Sequence, residues 1–215
     1  NIQSVSKDFT EGMKYILNHK LLLSLIGGFV VFGIVNGGFA VIPIFILKYK
    51  LAPGSYEEYS ILLGIAFGAG VLIGSIFSSM LTQKFKFHVL IVTGLVISGT
   101  FIIAASFAPT TWLFLMIIFI AALGLPLVNI AIGGWMPSII DPKMMGRVQG
   151  WINPLMMLSQ SITLGVIAMT FPSVITVEML YWLVGGCLLI VAIFYTIILP
   201  KYVKEEEPHS AVLNS

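Results

Sequence analysis

Residues 124–160 read GLPLVNIAIGGWMPSIIDPKMMGRVQGWINPLMMLSQ. Two apolar runs flank a short polar turn, and most of the polar residues stand among the apolar ones. Asn129 lies inside the first run, Asn153 and Gln160 inside the second. Between them come Asp141-Pro142 and the stretch Gly146-Arg147-Val148-Gln149-Gly150. Apolar runs of this length joined by so short a turn read as two helices. The rest of the chain reads as the frame that holds this helix–turn–helix in a bilayer.

Composition supports lipid as the solvent. The chain is 58% hydrophobic and 9% charged, with a mean hydropathy of +1.04. A soluble domain carries about 25% charged residues, so a water-soluble fold of this size would leave too much apolar surface uncovered. A net charge of +2 is too small to point to nucleic acid. The single cysteine, Cys187, excludes an internal disulfide framework and reads as a packing residue in an apolar run. Nothing suggests a metal or another cofactor. The chain opens Asn1-Ile2-Gln3 with no methionine and no signal-peptide pattern. It is expected to be a segment of a longer protein, cut in a polar connection.

Working outward, residues 1–20 are polar and mixed in charge. Phe9, Met13, Ile16 and Leu17 recur at helical spacing among Lys7, Asp8, Glu11, Lys14 and Lys20. This predicts an amphipathic helix, either lying at a membrane surface or leading into the next segment. Six apolar segments follow, at 21–47, 60–83, 89–107, 112–136, 151–171 and 179–199. A helix needs about 20 apolar residues to cross the hydrocarbon core, and each segment is close to that or longer. Residues 200–215 are a polar tail, expected to be frayed.

Lysine and arginine counts set the orientation. Lys7, Lys14, Lys20, Lys84, Lys86, Lys143, Arg147, Lys201 and Lys204 fall on one side of the six segments, and Lys48 and Lys50 on the other. Nine against two places both ends of the chain in the cytoplasm of a multi-pass cell-membrane protein. Trp112, Trp151, Tyr181 and Trp182 stand near segment ends, where aromatic belts form.

No Asp, Glu, Lys, Arg or His lies deep in any segment, so this chain offers no obvious protonation site. A membrane-embedded enzyme is disfavoured for the same reason: there is no HExxH, no His cluster and no paired carboxylates. His88 borders a loop and reads as solvated or headgroup-facing. The remaining polar signals are amides and hydroxyls. Phe29, Phe32, Asn36, Phe39 and Pro43 step by three and four and share one face of the first segment. Asn36 there either hydrogen-bonds a neighbouring helix or meets a substrate. The first and fourth segments look alike: Asn36-Gly37-Gly38-Phe39 ends at Pro43, and Asn129 precedes Gly133-Gly134-Trp135 and Pro137. Gly/Pro-interrupted helices in corresponding positions of two repeats point to a transporter binding site. On the fifth segment Asn153, Met156, Gln160 and Thr163 share a face, with methionine suited either to packing or to varied apolar ligands. Gly64/Gly68 and Gly70/Gly74/Ser78 on the second predict close helix packing, and could also permit sliding.

In the central turn, Asp141-Pro142 fits a helix N-cap followed by proline at the first helical position. Arg147 either snorkels to headgroups or pairs with a carboxylate or helix C-terminus in a gate. Three stretches carry a family resemblance. Lys7-Asp8-Phe9-Thr10-Glu11-Gly12-Met13-Lys14-Tyr15-Ile16, followed by Asn18-His19-Lys20-Leu21-Leu22, resembles a central-linker helix entering a seventh span. Asp141-Pro142 through Gly146-Arg147-Val148-Gln149 resembles a loop between spans ten and eleven. Gln83-Lys84-Phe85-Lys86-Phe87-His88 sits where the same family repeats a Gly-x-Leu-Ala-Asp-Arg-x-Gly-Arg-Arg motif, although Gln83 replaces its Asp and Lys86 its Gly. In these features the chain resembles the C-terminal six-helix half of a major facilitator superfamily transporter, within the bacterial macrolide-efflux and siderophore-export branch.

The resemblance implies an all-α integral membrane fold of six transmembrane helices, one half of a twelve-helix major facilitator fold. Its spans seven and ten would line a central cavity, and eight and eleven would meet the missing N-terminal six-helix half. Phe29, Phe32, Asn36 and Phe39 would then stand opposite Asn129, with Gln160 near the seam and Lys84 and Arg147 as gating residues. The implied function is export of an amphipathic or lipophilic small molecule by alternating access, proton-coupled through the other half. The competing reading is a non-transport membrane scaffold or assembly subunit. The expected partners are the bilayer, the other half and a small-molecule substrate, with no nucleic acid.

Overall fold

A segment inside hydrocarbon finds no water for its backbone N–H and C=O groups and must pair them within itself, which favours helices. The computed structural model describes the backbone of residues 2–213 and the side chains of residues 2–204, and helix is the only regular structure among them. The elements in order are α1 (Ile2–Asn18), α2 (Lys20–Phe39), α3 (Ile42–Ile46), a wide π-helical turn (Leu47–Leu51), α4 (Tyr56–Leu81), α5 (Phe87–Ala105), α6 (Thr111–Ile139), α7 (Met145–Thr170) and α8 (Val177–Leu213). Among the described residues, six helical stretches are long and apolar enough to cross a bilayer: Lys20–Leu51, Tyr56–Leu81, Phe87–Ala105, Thr111–Ile139, Met145–Thr170 and Val177–Lys204.

One local feature follows the sequence reading and two differ from it. The first span is interrupted at Ala40-Val41, because Pro43 brings no N–H and its ring conflicts with the carbonyl four residues back, at Phe39. Asp141-Pro142 does not open a helix. Asp141 Oδ1 instead accepts from Lys143 N at 2.9 Å, and the Asp141 carbonyl accepts from Met144 N at 2.8 Å. The pair of bonds closes a turn, and α7 begins only at Met145. The last helix does not stop at Leu199 but continues through Pro200 to Leu213. Residues 1, 214 and 215 lie outside the described residues.

The spans form an arc in the spatial order α4, α6, α5, α8, α2, α7, each packing on the next. Exchanging the first three spans for the last three reproduces this order in reverse. Since α2 and α6 run in opposite directions, the pattern is that of an inverted repeat. The likeness of the first and fourth segments follows from it: α2 and α6 are the exchanged pair.

Between helices in lipid the packing is made by small residues and hydroxyls. A Cβ at Gly33 of α2 would lie 2.5 Å from the Met156 carbonyl oxygen of α7, and one at Gly74 of α4 would lie 2.7 Å from the Leu123 carbonyl oxygen of α6. Only glycine permits those approaches. The other stripe on α4 is different: a Cβ at Gly64 or Gly68 would meet nothing within 4 Å. The Ser159 hydroxyl of α7 donates to the Val30 carbonyl of α2 at 2.6 Å. The Ser98 hydroxyl of α5 donates to the Ala121 carbonyl of α6 at 3.0 Å, and the Tyr195 hydroxyl of α8 donates to the Ser24 carbonyl of α2 at 2.8 Å.

Candidate functional site

The alternation of spans gathers nine of the eleven Lys and Arg residues at one end of the bundle, together with α1 and the α6–α7 turn. Near that end a cavity of about 240 Å³ opens between α2, α6 and α7. α6 contributes Asn129, Ile132, Gly133, Met136 and Pro137, a stripe at the three-and-four spacing of a single helix face. α7 contributes Met145, Gln149, Ile152, Asn153 and Met156, another such stripe, and α2 contributes Phe29.

The chemistry of this cavity is uncharged. Among the described residues the amides of Asn129, Gln149 and Asn153 make no side-chain hydrogen bond, so their donors and acceptors are open to whatever enters. A proline adds an acceptor of a second kind: Pro137 has no N–H for the Gly133 carbonyl, which loses its helical donor beside the cavity. Gly133 carries no Cβ into the space, and a Cβ there would meet nothing within 4 Å. Phe29 and the three methionines supply adaptable apolar surface. The whole can take a neutral or amphipathic molecule by amide hydrogen bonds and aromatic and thioether contact.

The residues singled out from sequence separate into groups. Phe29 and Asn129 meet in the cavity. Asn36 is exposed and stays on the face of Phe29, but seven residues farther along, about 10 Å at 1.5 Å per residue. Phe32 is buried in the core, its ring 6.3 Å from that of Phe29. Phe39 is half-buried and lies against Phe67 of α4 at 6.2 Å. Gln160 is half-buried on α7, where its backbone carbonyl is 2.8 Å from the position of a Gly37 Cβ. These four do not line the cavity with Asn129. Gln149 and Asn153 do, and the sequence reading left both out of the binding set. Asn153 and Met156 had been seen to share a face. Gln149 extends that face one turn back, in the polar first turns of α7 ahead of the apolar segment at 151–171.

Arg147 stands just beyond the cavity and is paired, not snorkelling. Its guanidinium meets Asp8 at 2.8 Å and also Glu11, both on α1. One turn on, Trp151 stacks on Phe9 with centroids 3.7 Å apart, and its indole N–H donates to the Phe9 carbonyl at 2.8 Å. Asp141 N–H donates to the Tyr15 hydroxyl at 3.0 Å. A Cβ at Gly12 would fall 2.9 Å from the Arg147 carbonyl oxygen, so α1 lies directly on the start of α7. His19 separates α1 from α2, its Nδ1 accepting from Leu22 N at 3.4 Å. Lys84 is exposed in the α4–α5 loop and makes no ion pair among the described residues.

The opposite end is closed by a different set. Lys50 pairs with Glu178 at 2.9 Å and donates to the Ser106 carbonyl at 3.2 Å. Trp182 Nε1–H donates to the Ser106 hydroxyl at 2.8 Å. These bonds tie the end of the first span to α5 and α8. Among the described residues no group of His, Cys, Asp and Glu is arranged to hold a metal.

The chain is similar to a protein of Bacillus subtilis (strain 168) that carries the description "Uncharacterized MFS-type transporter YkuC". The two are 44% identical over 203 residues, which make up 94% of this chain and 47% of that protein. The chain therefore spans about half the length of the curated relative it matches. No family model matches the chain, and no solved structure matches it. Among the described residues the fold is all-helical with six helices long and apolar enough to cross a membrane, and it is similar to about half the length of a protein described as an MFS-type transporter.

Proposed function

We propose that the chain is half of a secondary active transporter that exports an amphipathic or lipophilic small molecule by alternating access. The observation that carries the reading is the α2–α6–α7 cavity, in which Asn129, Gln149 and Asn153 present unpaired amides beside Phe29 and three methionines, with no charge. Such a lining suits a lipophilic molecule with a few polar groups better than a sugar or a phosphate. The description of the relative as a transporter supports the class. The proposed activity is efflux of the kind carried out by macrolide and siderophore exporters, with drug resistance as its consequence. Proton antiport would run through a titrating group in a second six-helix half.

In this account Asn129 and Phe29 contact substrate first, and Asn36, Phe32, Phe39 and Gln160 act farther along its path or at the seam between halves. The least buried spans are α4 and α7, at the two ends of the arc. They are the surfaces on which the other half would pack, with the open Gly64/Gly68 stripe as part of the contact. The lysine-rich end, with α1, faces the cytoplasm of the cell membrane by the positive-inside rule. Arg147 and Lys84 belong to the gate at that end.

The test is transport by the full-length protein against a panel of lipophilic and amphipathic compounds. Asn129→Ala and Asn153→Ala each remove a hydrogen-bonding group worth about 1 kcal/mol, roughly fivefold in kcat/KM. Membrane insertion should be unchanged. Wild-type export rates across the panel in both variants would remove the binding role of this cavity.

A further inference from the structure

The first span has a second uncovered face, away from the cavity. Phe29 and Asn36 mark the cavity side of α2. Lys20, Ser24, Gly27 and Val31 recur at helical spacing about 180° round the helix from them. With Ile190 and Phe194 of α8 these residues line a furrow of about 460 Å³. Directly beyond it, past Val30 and Ile34, a groove of about 480 Å³ runs on between α2, α7 and α8. Leu183, Cys187, Ile190, Phe194 and Lys201 fall on one face of α8, so the two hollows adjoin along it.

The chemistry of this continuous furrow is polarised. Its walls are apolar over most of their length. At one end stand Lys20 and Tyr202, and Lys201, exposed, is two turns beyond Phe194 on the same side of α8. The first hollow lies between α2 and α8, on the side of α2 away from the cavity, and both helices are long and apolar enough to cross a bilayer. Left empty there, its lining atoms would lose their dispersion contacts, and water would find few partners in it. The occupant must be long and apolar with an anionic group at one end.

We propose that the furrow binds one membrane phospholipid, its acyl chain lying along α2 and α8 and its phosphate held between Lys20 and Lys201. The acidic run Glu205-Glu206-Glu207 comes one turn later in the sequence. The phosphate contact therefore belongs to the two lysines and not to the net charge at this end of α8. The site is separate from the substrate cavity and does not depend on the transport reading.

Native mass spectrometry of the full-length protein released from mild detergent tests this. The wild type should retain one phospholipid mass per chain. Gly27→Leu should lower the retained fraction at least tenfold, because a Cβ at Gly27 meets nothing within 4 Å and the new side chain enters the furrow without displacing protein. Lys20→Gln and Lys201→Gln should each lower it about fivefold. They touch no packing contact, so they report on binding even if Gly27→Leu folds poorly. Wild-type protein with no bound lipid would overturn the proposal, as would undiminished retention in the lysine variants. A second copy of the chain, or a transported compound, as the added mass would do the same.

Discussion

Replacing Arg147 with glutamine removes both ion pairs between α1 and α7 and leaves a shorter, neutral polar side chain. In the native arrangement Arg147 meets Asp8 at 2.8 Å and Glu11 beside it, with all three side chains about a third to a half exposed. Exposed pairs are worth about 0.2–1 kcal/mol each, so the two together contribute about 1 kcal/mol. The Phe9–Trp151 stack adds about 1 kcal/mol. The indole bond to Phe9 and the Asp141–Tyr15 bond add about 1 kcal/mol each. An undocked α1, only 17 residues long, would be marginal as a helix in water. Its amide exchange therefore reports undocking. Arg147→Gln should speed deuterium uptake across α1 roughly fivefold, and Trp151→Ala, which loses the stack and a hydrogen bond, roughly thirtyfold. At 1 M salt the screening length falls to about 3 Å, so salt should move wild-type α1 toward the Arg147→Gln rate and leave the variant little changed. Uptake in α1 that is equal in wild type, Arg147→Gln and Trp151→Ala would refute this account of how the helix is held.

Two further outcomes concern packing. Gly33→Leu should destabilise the helix bundle by about 3 kcal/mol or more, since its Cβ alone would fall 2.5 Å from the Met156 carbonyl oxygen. Gly186→Leu on α8 should leave the same detergent melting temperature nearly unchanged, because its Cβ faces open space. Equal losses in the two would contradict the assigned α2–α7 contact. Tyr181 is buried and its hydroxyl has no hydrogen-bond partner among the described residues. Tyr181→Phe should therefore be neutral or stabilising by about 1 kcal/mol, read as a maintained or raised melting temperature.

The spans were legible because lipid imposes a simple rule on length and charge, and the six segments obey it. The kink in the first span was legible as well, from Pro43. The neighbour order of the helices was not, since it depends on which small residues meet. Gly64/Gly68 and Gly70/Gly74 have the same spacing, yet only the second pair touches another helix. Asn129 was visible as an amide in an apolar run. Its companion Gln149 stands in the polar stretch ahead of the fifth apolar segment, where nothing local distinguishes a cavity-lining amide from a solvated one. Arg147 left two readings open from sequence. Its partners lie 136 and 139 residues away, a separation at which no local pattern signals a contact. Phe32 shows the limit of face arguments. It shares a helical face with Phe29 in the sequence, but the packing of α2 buries it.

The most direct test of the central claim is the reactivity of a cysteine placed in the cavity. Gly133→Cys, in a full-length protein whose native cysteines, Cys187 among them, are changed to serine, puts one thiol where a Cβ meets nothing within 4 Å, beside Asn129. Its rate of modification by a polar maleimide should fall several-fold when an exported compound is added at saturating concentration, while a non-exported analogue leaves the rate unchanged. A rate indifferent to every exported compound would contradict the assignment of this cavity to the transport path.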